Sequence, residues 1–267
     1  MLAKSLTKSC NNLYILIVHG IYEYYGRTLT GACVKKCVKK NRIKGIEKLP
    51  LRVDFAGGWL DVPDFQIEGG HIVNCTIDQM MERGENEFRG GGLGWSAANS
   101  ILNGQTGVRS ELDKGVGWQD PAVIWETGLC VWESGNDPKL ILKMRGDILQ
   151  GKMGLHHTGA RHVTSDLIDK KRDYDTIKLA GNMAKKAIID NDYNYLVEAV
   201  RVSYEAQIQE GMNELPNFGQ MAKKYCGSGH GGYALYLFKN KYWRDNFVEG
   251  RHGIGIEPFI KDVGIKA

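Results

Sequence analysis

The run Gly90-Gly91-Gly92-Leu93-Gly94-Trp95-Ser96-Ala97-Ala98 constrains this chain more than any other stretch. Glycine reaches positive φ without strain and lets backbone come close to a ligand. The residues that follow, Ser96 to about Leu102, read as a helix, so the run is a glycine-rich loop opening onto a helix start. Such a start offers unpaired N–H groups and the positive end of the helix dipole. Loop and helix together make a cradle for an anion such as phosphate. Ser96 falls in the first turn, where its hydroxyl can reach a phosphate oxygen or a metal ion riding on it. The same glycines also suit a tight turn with no ligand, and spacing alone does not separate the two. Two phosphate-binding motifs are excluded. No hydrophobic strand precedes the run, as the dinucleotide G-x-G-x-x-G requires, and no Gly-Lys-Ser/Thr follows it, as a Walker A loop requires.

A second glycine loop, Tyr225-Cys226-Gly227-Ser228-Gly229-His230-Gly231-Gly232, precedes an apolar strand over 233–238. One shared ligand explains two such loops better than two unrelated turns. Further upstream, Val53 and Phe55 alternate with Arg52 and Asp54, as on a half-buried strand. This strand breaks at Gly57-Gly58 into a loop displaying Trp59 and Asp61. An aromatic face beside a carboxylate suits a sugar, by stacking and paired hydroxyl hydrogen bonds. A core tryptophan and a turn-forming aspartate before Pro63 fit the same residues. In Gly117-Trp118-Gln119-Asp120-Pro121, the proline holds Asp120 extended or in a turn. That makes either a fixed carboxylate in a cleft or a plain Asx turn.

With 267 residues, 42% hydrophobic and 25% charged, the chain is long enough for one large domain or two small ones. Its net charge of +4 is too mild to argue for nucleic acid or a membrane surface. Six scattered cysteines form no disulfide-like framework and read as free thiols in a reducing compartment. Cys33-x-x-x-Cys37 lacks a second Cys/His pair for a metal site. No apolar run reaches the ~20 residues of a membrane-spanning helix. The N-terminus shows no signal-peptide cleavage pattern, so a cytoplasmic protein is expected.

Leu13 to Val18 reads as a buried strand, and Lys35 to Lys44 as a surface helix with a solvated lysine face rather than a nucleic-acid patch. Residues 69–78, 140–144 and 154–159 read as strands with turns, and 103–115 as a short connection. Arg161 and His162 are exposed polar candidates. Residues 165–224 read as helical. Ile177, Ala180, Ala184, Ala187 and Ile188 stripe a first helix, and Leu196, Val200, Tyr204 and Ile208 a second. Asn191-Asp192 offers caps between them. A third helix is expected from Pro216, and a closing strand over 253–260.

In order, these stretches resemble the GHMP kinase superfamily of galactokinase, homoserine kinase, mevalonate kinase and phosphomevalonate kinase. Within it, the chain looks most similar to sugar kinases of the fucokinase and heptose-kinase sort. Leu51 to Asp61 resembles the family's first motif, Gly91 to Ala98 its phosphate loop and Gly227 to Tyr233 its third motif. Gly117 to Asp120 resembles the segment bearing its catalytic aspartate, and Leu155 to Gly159 the strand that opens its second half.

The resemblance implies an α+β, two-domain fold. Residues 47–150 would form an S5-like N-terminal domain and 151–267 a ferredoxin-like C-terminal one, with 1–46 an extension of no assigned role. It implies ATP- and Mg²⁺-dependent phosphoryl transfer to a hydroxyl of a sugar or sugar phosphate, the anomeric one favoured. Gly91, Gly92, Leu93, Gly94, Trp95, Ser96 and Ala97 would hold the nucleotide, with Gly229 and Gly231 opposite, and Ser96 would also reach the metal. Asp120 would orient or deprotonate the acceptor, and Arg52 would stabilise the transferring charge. Trp59, Asp61 and Gly232 would bind the substrate, with Ser96, Asp120 and Gly229 around one hollow. Three departures stand out. Of the longer stretch that the family carries between the first two motifs, supplying strands and much of the adenine pocket, only Gln79 to Arg89 remains here, and Trp95 replaces a common serine or threonine. Glu111 to Val116 is too short for the helix that carries the family's metal-binding glutamate. A binding protein that keeps the sugar or nucleotide site without catalysis is the alternative.

Overall fold

The computed structural model describes residues 46–85, 91–105, 107–160 and 170–261. The expected strand at Leu13–Val18, the Cys33/Cys37 pair, the basic helix at Lys35–Lys44, Gly90, and Arg161 with His162 lie outside them.

Among the described residues, eight strands form two antiparallel sheets. The first comprises β1 (Lys48–Ala56), β2 (His71–Glu82), β3 (Leu129–Glu133) and β4 (Lys139–Met144), in the order β1-β2-β3-β4. Three short helices lie between β2 and β3: α1 (Trp95–Leu102), α2 (Gly107–Leu112) and α3 (Gln119–Glu126). The second sheet comprises β5 (Met153–His157), β6 (Ala222–Tyr225), β7 (Tyr233–Leu237) and β8 (Ile254–Ile256), in the order β6-β7-β5-β8. The helices α4 (Tyr174–Ile189) and α5 (Tyr193–Gln209) join β5 to β6, and α6 (Lys241–Glu249) joins β7 to β8. This is the β-α-β-β-α-β arrangement of a ferredoxin-like fold, with a helical hairpin as its first crossover.

The helical hairpin follows its sequence signals. Asp173 and Asp192 accept the Thr176 and Tyr195 amides as N-caps of α4 and α5. The α4 stripe Ile177, Ala180, Ala184, Ala187 and Ile188 is buried as its spacing predicts. In α5, Leu196 and Val200 are buried, but the buried face then turns to Ala206 and Gln207, away from Tyr204 and Ile208. A single apolar cluster takes Phe55 and Ile77 from the first sheet, Leu155 and Leu235 from the second, and Ala184 and Leu196 from the hairpin. The chain's end ties the sheets further: Phe259 N donates to Thr76 O at 2.8 Å and Asp78 N to Glu257 O at 3.0 Å.

Several expectations are corrected. β1 is buried on both faces, Arg52 and Asp54 included, because α1, α3, α4 and α5 all pack on it. The connection over 103–115 contains α2. Asp120 is helical rather than extended, since Pro121 falls in the first turn of α3, where a missing N–H costs no intrahelical bond. No helix starts at Pro216. The Pro216 carbonyl accepts from Tyr236 Oη at 3.0 Å, and Met221 N donates to Leu237 O at 2.7 Å, which draws the chain into β6. The closing strand is only Ile254–Ile256, followed by a bridge between Pro258 and Ile77.

Candidate functional site

The glycine loop is built onto β1. Arg52 N donates to Leu93 O at 3.0 Å, and Gly94 opens α1 from the left-handed region at φ 74°. A Cβ on Gly94 would crowd the Arg52 side chain, 3.1 Å from its Cγ, and the positive φ independently favours glycine there. Ser96 is exposed in the first turn and Ala97 is buried. A first turn leaves its amides without intrahelical acceptors, which makes it a place for anionic oxygens.

The second loop lies directly against the first. Gly92, at φ 94°, approaches Cys226 so closely that a Cβ would stand 2.5 Å from its carbonyl oxygen. Tyr233 N donates to Gly91 O at 3.1 Å, and a Cβ on Gly232 would meet that same oxygen at 2.3 Å. Gly232 therefore serves loop-to-loop packing. Gly231 and Gly229 pack on Ala160 and Met212 respectively.

Arg52 is the hub beneath both loops. Its Nη1 donates to Gly92 O at 2.7 Å and to Asp54 Oδ1 at 3.0 Å, while Nε donates to Asp120 Oδ1 at 2.6 Å. Burial opposes the guanidinium's charge, and the Asp120 and Asp54 carboxylates outweigh it, so its pKa stands above the usual value. Asp54 also pairs with Lys224 on β6 and accepts Gly227 N at 2.8 Å. Burial disfavours its ionisation, but Lys224 and Arg52 win and hold its pKa below the ordinary carboxylate value. Asp120 keeps 22% of its side chain open to solvent. Burial pushes its pKa up to about 6; Arg52 pulls it down and Glu111 adds to the rise.

The substrate residues are placed differently from expectation. Asp61 is buried rather than displayed. Its Oδ2 accepts Gln119 N at 3.0 Å and its Oδ1 accepts Gln119 Nε2 at 2.9 Å, so it clamps the start of α3 one residue before Asp120. Burial raises its pKa to about 7. Trp59 sits at φ 79° with one ring face covered by the Arg172 guanidinium, 3.6 Å from the centroid, and Arg172 Nη2 pairs with Glu210 at 3.0 Å. That face is closed to a stacking sugar. Trp59 still lines a small cavity of ≈ 30 Å³, room for a water molecule, with Asp54, Gly58, Gln207, Glu210 and Lys224. Ser96, Asp120 and Gly229 do not line this cavity. Arg52 and Asp54 link Asp120 to both loops by direct contacts, and Gly227 stands at the wall of the cavity beside Trp59.

Glu111, in a segment that reads as too short for a helix, stands on α2 beside the first glycine loop. Gly107 lets α2 lie against Pro121, where a Cβ would be 2.6 Å from the ring. The buried Glu111 carboxylate thereby reaches Ser96, whose Oγ donates to its Oε1 at 3.4 Å. Two hard oxygens so spaced fit adjacent ligand positions around Mg²⁺, where bonds of about 2.1 Å place neighbouring oxygens about 3 Å apart. Among the described residues, no group of three or more His, Cys, Asp or Glu forms a metal cage. The signal for Glu111 was its place nine residues before Asp120, which sequence spacing alone left without a helix to carry it. The described cysteines Cys75, Cys130 and Cys226 are buried free thiols. No described helix is long and apolar enough to cross a membrane.

No family model matches the chain, and no curated protein does. Solved structures do. A D-glycero-D-manno-heptose 1-phosphate kinase from Bacteroides thetaiotaomicron superposes with a TM-score of 0.56 at 18% identity, covering 80% of this chain and 94% of that one. The L. major mevalonate kinase, solved with R-mevalonate, gives 0.55 at 14% identity over 79% and 94%. The Streptococcus pneumoniae phosphomevalonate kinase, solved with phosphomevalonate and AMPPNP, gives 0.55 at 12% identity over 80% and 98%. The structural neighbours are thus GHMP-family kinases, and the chain has their α+β fold.

Proposed function

We propose that this chain is an ATP-dependent kinase that transfers a phosphoryl group to a hydroxyl of a sugar or sugar phosphate. The observation that carries the proposal is Arg52, which hydrogen-bonds the phosphate-type loop at Gly92 and the solvent-accessible carboxylate of Asp120. Phosphoryl transfer asks a protein mainly for positioning and charge neutralisation, and these residues supply both. The amides of Gly91 to Ala97 would receive the triphosphate, with Gly229 and Gly231 shaping the facing loop. Ser96 and Glu111 would hold Mg²⁺, which when bound neutralises charge on the phosphate oxygens. Asp120 would take the acceptor's hydroxyl proton, and Arg52 would counter charge on the group in transit. The acceptor would lie on the solvent-open side of Asp120, while Asp61 positions Asp120 through Gln119. Residues 47–150 and 151–267 would act as the two lobes around the site. The heptose-phosphate, mevalonate and phosphomevalonate kinases among the neighbours support phosphoryl transfer to a small molecule.

The test is ADP release with Mg²⁺-ATP across free sugars, sugar phosphates and mevalonate. We expect turnover with at least one sugar or sugar phosphate. Turnover with mevalonate alone would overturn the sugar assignment. Saturable nucleotide binding with no transfer to any acceptor would leave a binding protein in place of a kinase.

A further inference from the structure

Lys114 stands where the metal side of the proposed site would need open space. Its ammonium donates to Glu111 Oε1 at 3.0 Å and to Ser96 Oγ at 3.3 Å, the same two oxygens that fit Mg²⁺. The turn after α2 fixes this placement: Lys114 N donates to Glu111 O at 3.0 Å and Gly115 N to Leu112 O at 2.9 Å, which returns the lysine over its own helix. A lysine three residues from a glutamate is commonly an ordinary surface pair of small energy. Here, however, the carboxylate is buried while the lysine side chain is 50% exposed, and the ammonium also engages a hydroxyl from a different helix.

We infer that Lys114 is a tethered counter-cation of this site: it holds Ser96 and Glu111 when no metal is present and must swing into solvent when a divalent cation enters. This rests on the kinase reading for the identity of the site. The physical ground is charge. A buried carboxylate without a partner is costly, and the lysine offsets that cost. A divalent ion brought to the same oxygens is repelled by an ammonium within a few ångströms unless that ammonium leaves. The half-exposed side chain has solvent to move into. Lys114 thus sets metal affinity without touching the reacting atoms.

The experiment is a Mn²⁺ titration of the full chain, followed by the electron paramagnetic resonance signal of free Mn²⁺, without nucleotide and with AMPPNP. Lys114→Gln should bind Mn²⁺ about tenfold more tightly than wild type without nucleotide. Lys114→Arg, which keeps the charge, should stay within about twofold of wild type. In a Glu111→Gln background, Lys114→Gln should change nothing, since the shared anchor is gone. Equal affinities for wild type and Lys114→Gln overturn the inference, as does an undiminished gain in the Glu111→Gln background, which would mark a general surface-charge effect. If Mn²⁺ binds with AMPPNP in either case, the kinase reading survives that failure. No Mn²⁺ binding in any form, with AMPPNP present, removes both. Circular dichroism on each variant separates these results from misfolding.

Discussion

At the residue scale, the carboxylate that matters most is Asp120. A base must be ionised to accept a proton, and burial has moved this group to about 6. The kcat/KM of the free enzyme should therefore fall as pH drops through about 6, and a pH–rate profile reads that limb directly. An acid limb near the ordinary aspartate value would show that Asp120 is not the titrating base. Asp61 offers a complementary stability test. Its folded pKa of about 7 exceeds the model-peptide 3.8, so the folded state holds the extra proton between those values. By linkage, this group stabilises the fold below its unfolded pKa and loses that contribution as pH rises toward 7. Gln119 Oε1 is buried without a hydrogen-bond partner, and an amide at position 61 can supply a donor. Asp61→Asn should flatten the pH dependence of the melting temperature between pH 4 and 7, whereas Asp61→Ala should lower stability at every pH.

At the scale of elements, the two glycine loops stand or fall together. Gly92→Ala would force a Cβ to within 2.5 Å of the Cys226 carbonyl oxygen in a backbone region that disfavours side chains. The loops should part, weakening AMPPNP binding at least tenfold by calorimetry, while the far-UV spectrum is preserved. Unchanged binding would mean the loop contact does not shape the nucleotide site. These loops were legible in the sequence because glycine has a local meaning, and the α4 stripe and Asp192 cap were legible for the same reason. β1 was misread as half-buried because alternation assumes one solvated face, and here a buried ion network covers the other. Sequence alone leaves Asp61 and Trp59 between display and structural roles, because nothing local announces Gln119 or Arg172 as partners. Pro216 looked like a helix start, but its carbonyl was claimed by Tyr236 from another strand. The approach of Glu111 to Ser96 depends on α2 meeting α3, a tertiary event with no local signal.

At the scale of the whole molecule, the Arg52–Asp54–Lys224 network crosses between the two sheets through the middle of the shared core. Lys224→Met leaves a buried carboxylate with less compensation, and removal of one partner from such a pair costs about 3–5 kcal/mol. Denaturant unfolding should show a loss of that order, reduced when Asp54→Asn is added, because the stranded charge is then gone. Additive losses would mean that the two side chains act independently. The order of motifs along the chain carried the fold class, since each lies at an end of a core strand or helix. The way the second sheet reaches back to Arg52 through Lys224 and Gly227 is non-local and had no sequence signature.

The most direct test of the account is ³¹P nuclear magnetic resonance of Mg²⁺-ATP with the acceptor that gives turnover, using wild type and Asp120→Asn. Wild type should convert the γ-phosphate resonance into a sugar phosphate ester. The variant should form that ester about 10²–10⁴-fold more slowly while still binding nucleotide. Ester formation at the same rate in both proteins, or release of inorganic phosphate with no ester, would contradict a phosphoryl-transfer site built on Arg52 and Asp120.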